Sequence, residues 1–323
     1  MSINDYNKKK IGFLIAAVLL AGTLFAQEKK SYFSIGGNVG SSAFDYEFNN
    51  GVDGKRKTGL GGGFHLGYSY FFNSHWGIAT GVGLSYYQTK SQLRGEVNAG
   101  DYFNLGNQTD DDNISGEPRN YELRARLGNW EEKHSSFMVE VPLMAMYQTR
   151  FGTGRWGMYT GLGVKLQAPT NSRFKIRNNA DRQLNISGYY VFEDNIGIDY
   201  GAPGEPPVTQ HGFGTVTGPD NNVKWNDKMK LKPGIAGTAE LGIMVDVGKG
   251  MDLMLGGYID YGLNDIKEHG SQQLMSAPSQ YISGANSQVG KGIRYNGMID
   301  SNATDKVKLI SFGVKMALRM KLF

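Results

Sequence analysis

Five histidines, His65, His75, His134, His211 and His269, hold most of the latent chemistry in this 323-residue chain. Hydrolytic catalysis would need one of them within hydrogen-bond reach of a serine or a carboxylate. His75 sits in a short polar turn, and His65 lies in the middle of an alternating apolar and polar segment. The other three lie in or beside long polar stretches rich in Asp and Ser, where proximity follows from composition and assigns no role. Asp110-Asp111-Asp112-Asn113 offers oxygen ligands for a divalent cation. It lacks the spaced ligands and turn glycine of a calcium loop, so a solvated acidic loop is the expectation. Gly59-x-Gly61-Gly62-Gly63 resembles a phosphate-binding turn only on the surface, because no helix or βαβ unit follows it. Cysteine is absent, which removes disulfides, thiolate metal sites and a lipid-accepting cysteine. The residues therefore predict no catalytic, cofactor or metal site and no enzymatic activity.

The elements that would position any site are ribbons of period two. At the carboxyl end, Ile310, Phe312, Val314, Met316, Leu318, Met320 and Leu322 share one parity, while Ser311, Gly313, Lys315, Ala317, Arg319 and Lys321 share the other. A strand places alternate side chains on opposite faces, so one apolar ribbon is backed by one polar, basic ribbon. Seven further segments repeat the pattern, over about 31–40, 58–72, 76–91, 135–151, 156–168, 233–247 and 251–263. Glycine, 46 residues in all, clusters inside these ribbons without a triplet period, which excludes collagen.

Connections decide the architecture. Asn73-Ser74-His75, Gly152-Thr153-Gly154-Arg155 and Gly248-Lys249-Gly250 are hairpin turns by length and residue type. The others, at about 41–57, 92–134, 169–232 and 264–305, are long, and short alternates with long throughout. The expectation is an all-β, antiparallel up-and-down transmembrane β-barrel of eight strands, with short periplasmic turns and long extracellular loops. Ten strands remain open, because Leu184, Ile186, Tyr190 and Phe192 alternate and Asp194-Asn195 could turn into Ile196, Ile198 and Tyr200. Charges close on both sides favour a hairpin standing above the membrane. Pro203 to Pro207 marks a rigid kink.

Phe72, Trp76, Phe151 and Trp156 flank two of the tight turns and fit an interfacial aromatic girdle; Tyr86, Tyr147 and Tyr261 are weaker candidates. At the amino end, Lys8-Lys9-Lys10 precede an apolar run, Ile11 to Phe25, too short for a spanning helix. Residues 1–27 fit a cleaved signal peptide, leaving 28–323 as the barrel domain. Its loss removes three Lys and one Asp, so the charge falls from +4 to 4 − 2 = +2, and nothing argues for nucleic acid.

The stretch Ser135-Ser136-Phe137-Met138-Val139-Glu140-Val141-Pro142-Leu143 resembles a strand of the PorT-like outer-membrane β-barrel proteins of Bacteroidetes. Tyr258-Ile259-Asp260-Tyr261-Gly262-Leu263-Asn264-Asp265-Ile266 is similar to the exit from their penultimate strand, and Phe25-Ala26-Gln27 to their signal ending. The resemblance covers the barrel strands, less than half of the mature chain, and implies a small barrel of about eight strands with little about activity. Phe323 is the candidate insertion signal, read by the barrel-assembly machinery. It departs from the usual pattern by sharing parity with Lys321 and Arg319, which predicts a one-residue shift or a terminal bulge.

With the polar parity facing the lumen, the interior collects Glu140, Lys165, Glu240, Asp260, Lys315 and Arg319, with Asp246, Asp252 and His65. An eight-strand barrel is just wide enough to be filled by side chains. These charges form either a structural ion-pair network or the lining of a narrow polar pore, with Glu140 and Lys315 or Arg319 its foremost members. Pro142 points inward and predicts a bulge or distortion. The leading expectation is an outer-membrane protein of a Gram-negative bacterium, set in lipid, whose loops contact extracellular or envelope proteins. A narrow channel for small solutes is the alternative, and an envelope enzyme ranks last.

Overall fold

The computed structural model describes residues 30–49, 53–98, 103–104, 120–152, 154–176, 183–191, 210–217, 224–225, 228–268, 273–276 and 294–322. Residues 1–27, read as a signal peptide, lie outside the described residues, as do Phe323, Asp110 to Asn113, Pro203 to Pro207 and His269. Alternation builds eight strands that close into one ring: β1 (Lys30–Asp45), β2 (Leu60–Phe71), β3 (Trp76–Asn98), β4 (Asn120–Arg150), β5 (Trp156–Pro169), β6 (Gly234–Gly248), β7 (Met251–Gly262) and β8 (Lys308–Lys321). Each pairs antiparallel with its neighbours in sequence, and β8 returns to β1 in continuous register from Tyr32↔Lys321 to Asp45↔Lys308. Closure satisfies every edge, the condition that lets a sheet stand in hydrocarbon.

The two faces separate as the parity requires. Leu60, Leu162 and Leu241 are 73 %, 69 % and 60 % exposed on the outside, whereas Glu140, Asp260 and Arg319 are buried within. A continuous apolar belt of that size matches the outward band of a membrane barrel. Phe72, Trp76, Phe151 and Trp156 stand exposed beside the tight turns, and Trp76 packs against Tyr147 at 4.9 Å between ring centroids. In the third turn Lys249 takes a φ of 56° between Gly248 and Gly250, both also left-handed.

Closing eight strands demands sharp local coiling, and Gly40 opposite Gly313 supplies it on the β1–β8 seam. A Cβ on Gly313 would stand 2.2 Å from the Val39 carbonyl oxygen and 2.6 Å from the Gly40 Cα, both backbone atoms that cannot rotate away. Gly313→Val should therefore lower barrel stability by about 1–3 kcal/mol. Urea unfolding of the refolded chain in vesicles reads this directly, and an unchanged midpoint would show that the seam has slack.

Several strands outrun the ribbons read from apolar alternation. β3 continues to Asn98 and β4 begins at Asn120, pairing from Thr89↔His134 to Asn98↔Arg124 with a shift between Leu93 and Gly95. Much of 92–134 is thus a tall ribbon rather than a loop. The period does not stop at residue 91; the outward residues become polar there (Gln88, Lys90, Gln92), so apolar alternation ends before the strand does. Likewise, part of 41–57 is strand, since β1 runs to Asp45 and Asp53–Thr58 pairs with β3. Within 169–232, Arg173–Ile176 and Gln183–Val191 both pair with β4. The strand Gln183–Val191 pairs with Gln210–Thr217, while Phe192, Asp194-Asn195 and Ile196 to Tyr200 lie outside the described residues. The Thr-Val-Thr end of 210–217 gives β-branched residues in register with Asn185 to Ser187. This hairpin sits on the β4 extension, and the ring keeps eight strands.

At Pro142 the expected irregularity is a gap in the ladder rather than a bulge. The β3–β4 ladder runs Thr80↔Leu143, skips the pairs opposite Pro142, and resumes at Gly83↔Glu140 without a change of register. Proline has no N–H to give, and the Thr80 hydroxyl donates to its carbonyl oxygen at 2.8 Å instead.

Candidate functional site: the filled lumen and its cap

Inward parity brings all six predicted lumen residues inside the ring, but in separate tiers rather than one network. Nearest the tight turns, Asp252 accepts from Arg319 Nη2 at 2.7 Å and from Arg150 Nη2 at 2.6 Å. The Arg319 guanidinium lies over the Tyr32 ring at 4.3 Å from its centroid and near Phe71 at 5.5 Å. Around this tier Met144, Met146, Met244, Met254 and Tyr159 pack with Phe71 and Ala317 into a small apolar cluster. Methionine fills irregular gaps well, which suits a narrow lumen.

Midway, Lys315 Nζ donates to Glu240 Oε2 at 2.5 Å. Here the inward glycines leave a cavity of about 110 Å³, bordered by Ser34, Asn38, His65, Glu240 and Lys315 among others. Toward the long loops, Lys165 lies between Asp260 at 2.7 Å and Glu140 at 3.4 Å. Glu140 also accepts from Ser85 Oγ at 2.9 Å, Gln167 Nε2 at 2.9 Å and the Tyr87 hydroxyl at 3.2 Å. The charges of the three tiers balance: four carboxylates (Glu140, Glu240, Asp252, Asp260) face four cations (Arg150, Lys165, Lys315, Arg319). Balance of this kind is what makes buried charge tolerable.

Glu140, Lys315 and Arg319, the foremost members by parity, all take part, but each in a different tier: Glu140 with Lys165, Lys315 with Glu240 and Arg319 with Asp252. Register explains it. Lys315 stands opposite Asn38 and Gly256, and Arg319 opposite Ser34 and Asp252, both further down the barrel than Glu140. Asp246 is half-buried at the rim, where its carboxylate accepts from the Gly248 amide at 2.7 Å.

Above the ring the loop segments form a second core. Phe44, Tyr87, Leu93, Trp130, Met138, Phe174, Ile266, Leu274, Met298, Ile299, Val307 and Leu309 bury one another over the barrel mouth. At its centre Glu132, fully buried, accepts from Tyr295 at 2.6 Å and from the Met298 amide at 3.2 Å, and is 2.7 Å from His134 Nε2. Trp130 Nε1 donates to the Tyr295 hydroxyl at 3.0 Å. His134 Nδ1 is 3.3 Å from the Tyr46 hydroxyl, which bonds Ser91 in turn. Gly297, at a φ of 83°, turns the chain so that the Met298 amide meets Glu132. Burial, reinforced by nearby Glu132, holds the Tyr46 and Tyr295 hydroxyls well above their ordinary range, so both stay neutral. Lys267 is tied into the same cap, donating to the Ser301 and Thr304 carbonyls at 2.6 Å each.

A serine, a histidine and a carboxylate thus do converge, but His134 and Ser91 have no exposed surface and sit inside an apolar core. His75 stacks on Tyr147 in its turn at 5.8 Å, and His211 lies in the strand Gln210–Thr217. Arg150, Tyr87, Gln167, Glu132 and Tyr295 were missed in the sequence. Carrying the period-two count past residue 91 and back before residue 135 would have put Glu132 and His134 on one buried face.

Residues 25–268 match the family model described as outer membrane protein beta-barrel domain. The chain belongs to that family. As an outer membrane β-barrel protein it is similar in structure to Neisserial surface protein A, with 9 % identity and a TM-score of 0.32 over 92 % of this chain and 100 % of that one. It is likewise similar to the outer membrane protein OprG from Pseudomonas aeruginosa, at 10 % identity and a TM-score of 0.36 over 90 % and 97 %. A third neighbour is the attachment invasion locus protein Ail of Yersinia pestis, at 12 % identity and a TM-score of 0.28 over 91 % and 100 %. No curated protein matches the chain.

Proposed function

We propose that this outer membrane barrel is a closed anchor that presents a folded cap to the cell exterior for recognition of extracellular or envelope proteins. The observation that carries the reading is the second core: the loop segments pack Trp130, Phe174, Tyr295 and Ile299 over the barrel mouth. A solute channel needs a wet vestibule there, whereas a packed cap holds a fixed outer surface for a partner to read. The lumen agrees, because paired charges occupy every tier and methionines pack around the tier nearest the tight turns. The reading is non-enzymatic, since the histidine nearest a carboxylate is sealed inside that core.

The export route belongs to the same proposal: a signal peptide over residues 1–27, cleavage, and insertion by the barrel-assembly machinery through the carboxyl-terminal strand, with Phe323 as the insertion signal. So does a place near the PorT-like branch of Bacteroidetes, on the residues Ser135 to Leu143 and Tyr258 to Ile266. Planar-bilayer recording of the refolded chain tests the central point. The expected result is a silent membrane, with heat-modifiable migration showing that the barrel is folded. Discrete conductance steps lost on Glu140→Gln or Lys315→Gln would replace this reading with the narrow channel.

A further inference from the structure

The ribbon that supports the cap also has an outer face. Lys57 pairs with Lys90, Lys90 with Lys133, and Lys133 with Lys175, so four lysines stand abreast on four adjoining strands. Their chain neighbours Thr89, Ser91, Glu132, His134 and Phe174 are buried in the cap, which puts the lysines on the opposite, outward side. Lys57, Lys90 and Lys175 are exposed and Lys133 is half-buried. At the usual strand spacing the row is about 14 Å long. Like charges directly opposite across strands repel, and here the clash occurs at every step. Among the described residues, none of the four ammonium groups has an ion-pair partner. On the same face, Arg173 sits one step nearer the membrane; one step further out lie Lys55 and a single carboxylate, Glu131.

The height of the row identifies what it meets. On β3 the outward apolar residues run from Trp76 to Tyr86, whose ring packs on Phe137 at 5.1 Å. Ten residues of tilted strand cover about 25 Å, the height of a barrel's apolar band. Lys90 is four residues beyond Tyr86, about 10 Å above that edge. Lysine stems lie along apolar surface and carry their charge toward water or headgroups, so the ammonium groups reach the phosphate layer. Directly below, Leu60, Leu84 and Phe137 are exposed and offer a wall for acyl chains.

We propose that Lys57, Lys90, Lys133 and Lys175 form a binding site for the phosphates of an anionic glycolipid in the outer leaflet around the barrel. The row is long enough to engage two phosphate groups at once, and bound phosphate removes the repulsion built into the ladder. The site is independent of what the cap recognises. It holds the ribbon, and hence the cap, at a fixed attitude to the membrane surface.

The test reconstitutes the full chain in phosphatidylcholine vesicles with or without a minor fraction of bisphosphorylated lipid A. Retained lipid is counted by native mass spectrometry. The variant combines Lys57→Gln, Lys90→Gln, Lys133→Gln and Lys175→Gln, and a control combines Arg155→Gln with Lys249→Gln at the turn end. Each lysine near an anionic surface is worth roughly fivefold in binding, so even with partial screening the variant should retain lipid A at least roughly tenfold more weakly. In phosphatidylcholine alone the variant should melt no lower than the parent chain, and lipid A should raise the parent's melting temperature only. Equal retention by parent and variant would overturn the proposal. An equal loss in the turn-end control would do the same, as would a soluble sulfated polysaccharide bound through these lysines while lipid A is not retained. Heat-modifiable migration confirms folding; if the fourfold variant fails there, Lys90→Gln with Lys133→Gln alone carries the comparison.

Discussion

Glu132→Ala should unfold the cap while the barrel stays intact. The carboxylate is the common acceptor for Tyr295 and the Met298 amide and lies against His134. Removing it leaves two or three buried donors without partners, each at about 1–3 kcal/mol. The sum, roughly 2–9 kcal/mol, is comparable with the stability of a whole small domain. The membrane-embedded ring does not share this cost, because its ladders close without the cap. Limited proteolysis of the refolded chain should therefore show new cleavage in the loop segments, alongside unchanged heat-modifiable migration. A cap as resistant as the parent's would mean that the apolar contacts of Trp130 and Phe174 hold it alone. Tyr295→Phe should cost less, since it deletes a donor to Glu132 but keeps the ring that packs on Trp130 at 5.3 Å.

The second large effect belongs to the lumen. Asp252→Ala strips two arginines of their shared carboxylate, and Arg319 is only 3 % exposed. Breaking a buried pair by deleting one side leaves an uncompensated charge, with a cost of about 3–5 kcal/mol. The midpoint of urea unfolding in vesicles should fall accordingly. The decisive companion is Asp252→Leu with Arg319→Met: taking both charges out together should recover most of the loss, because a buried pair is worth little against apolar residues of similar size. If the double variant is as weak as the single one, Arg319 contributes mainly by its packing over Tyr32 rather than by its charge. Arg150→Ala should cost less than either, since that side chain is 39 % exposed and retains access to water.

Much of the barrel was legible in the residues. The parity of Leu241, Ile243 and Val245 against Glu240, Gly242 and Asp246 is enough to say which side meets lipid. Three short turns against four long connections set the up-and-down order and the count of eight, which the ring confirms. Apolar alternation failed as a measure of strand length. It marks where the bilayer ends, and β3 and β4 continue past that level with polar outward residues such as Lys90 and Lys133. The cap was illegible for another reason. Phe44, Trp130, Phe174 and Tyr295 come from four different connections, and although the period-two count extended along β4 marks the buried side of Trp130, no single stretch shows that the four meet.

What the chain determined by itself is the face each strand residue takes, because a period of two is a local property of extended backbone. Which charges meet, and that the loops converge into a core, only the closed structure decided. Lys165 finds Asp260 across 95 residues and Tyr295 finds Glu132 across 163. Such partnerships depend on the register of every intervening pair around the ring, which no short stretch of sequence encodes.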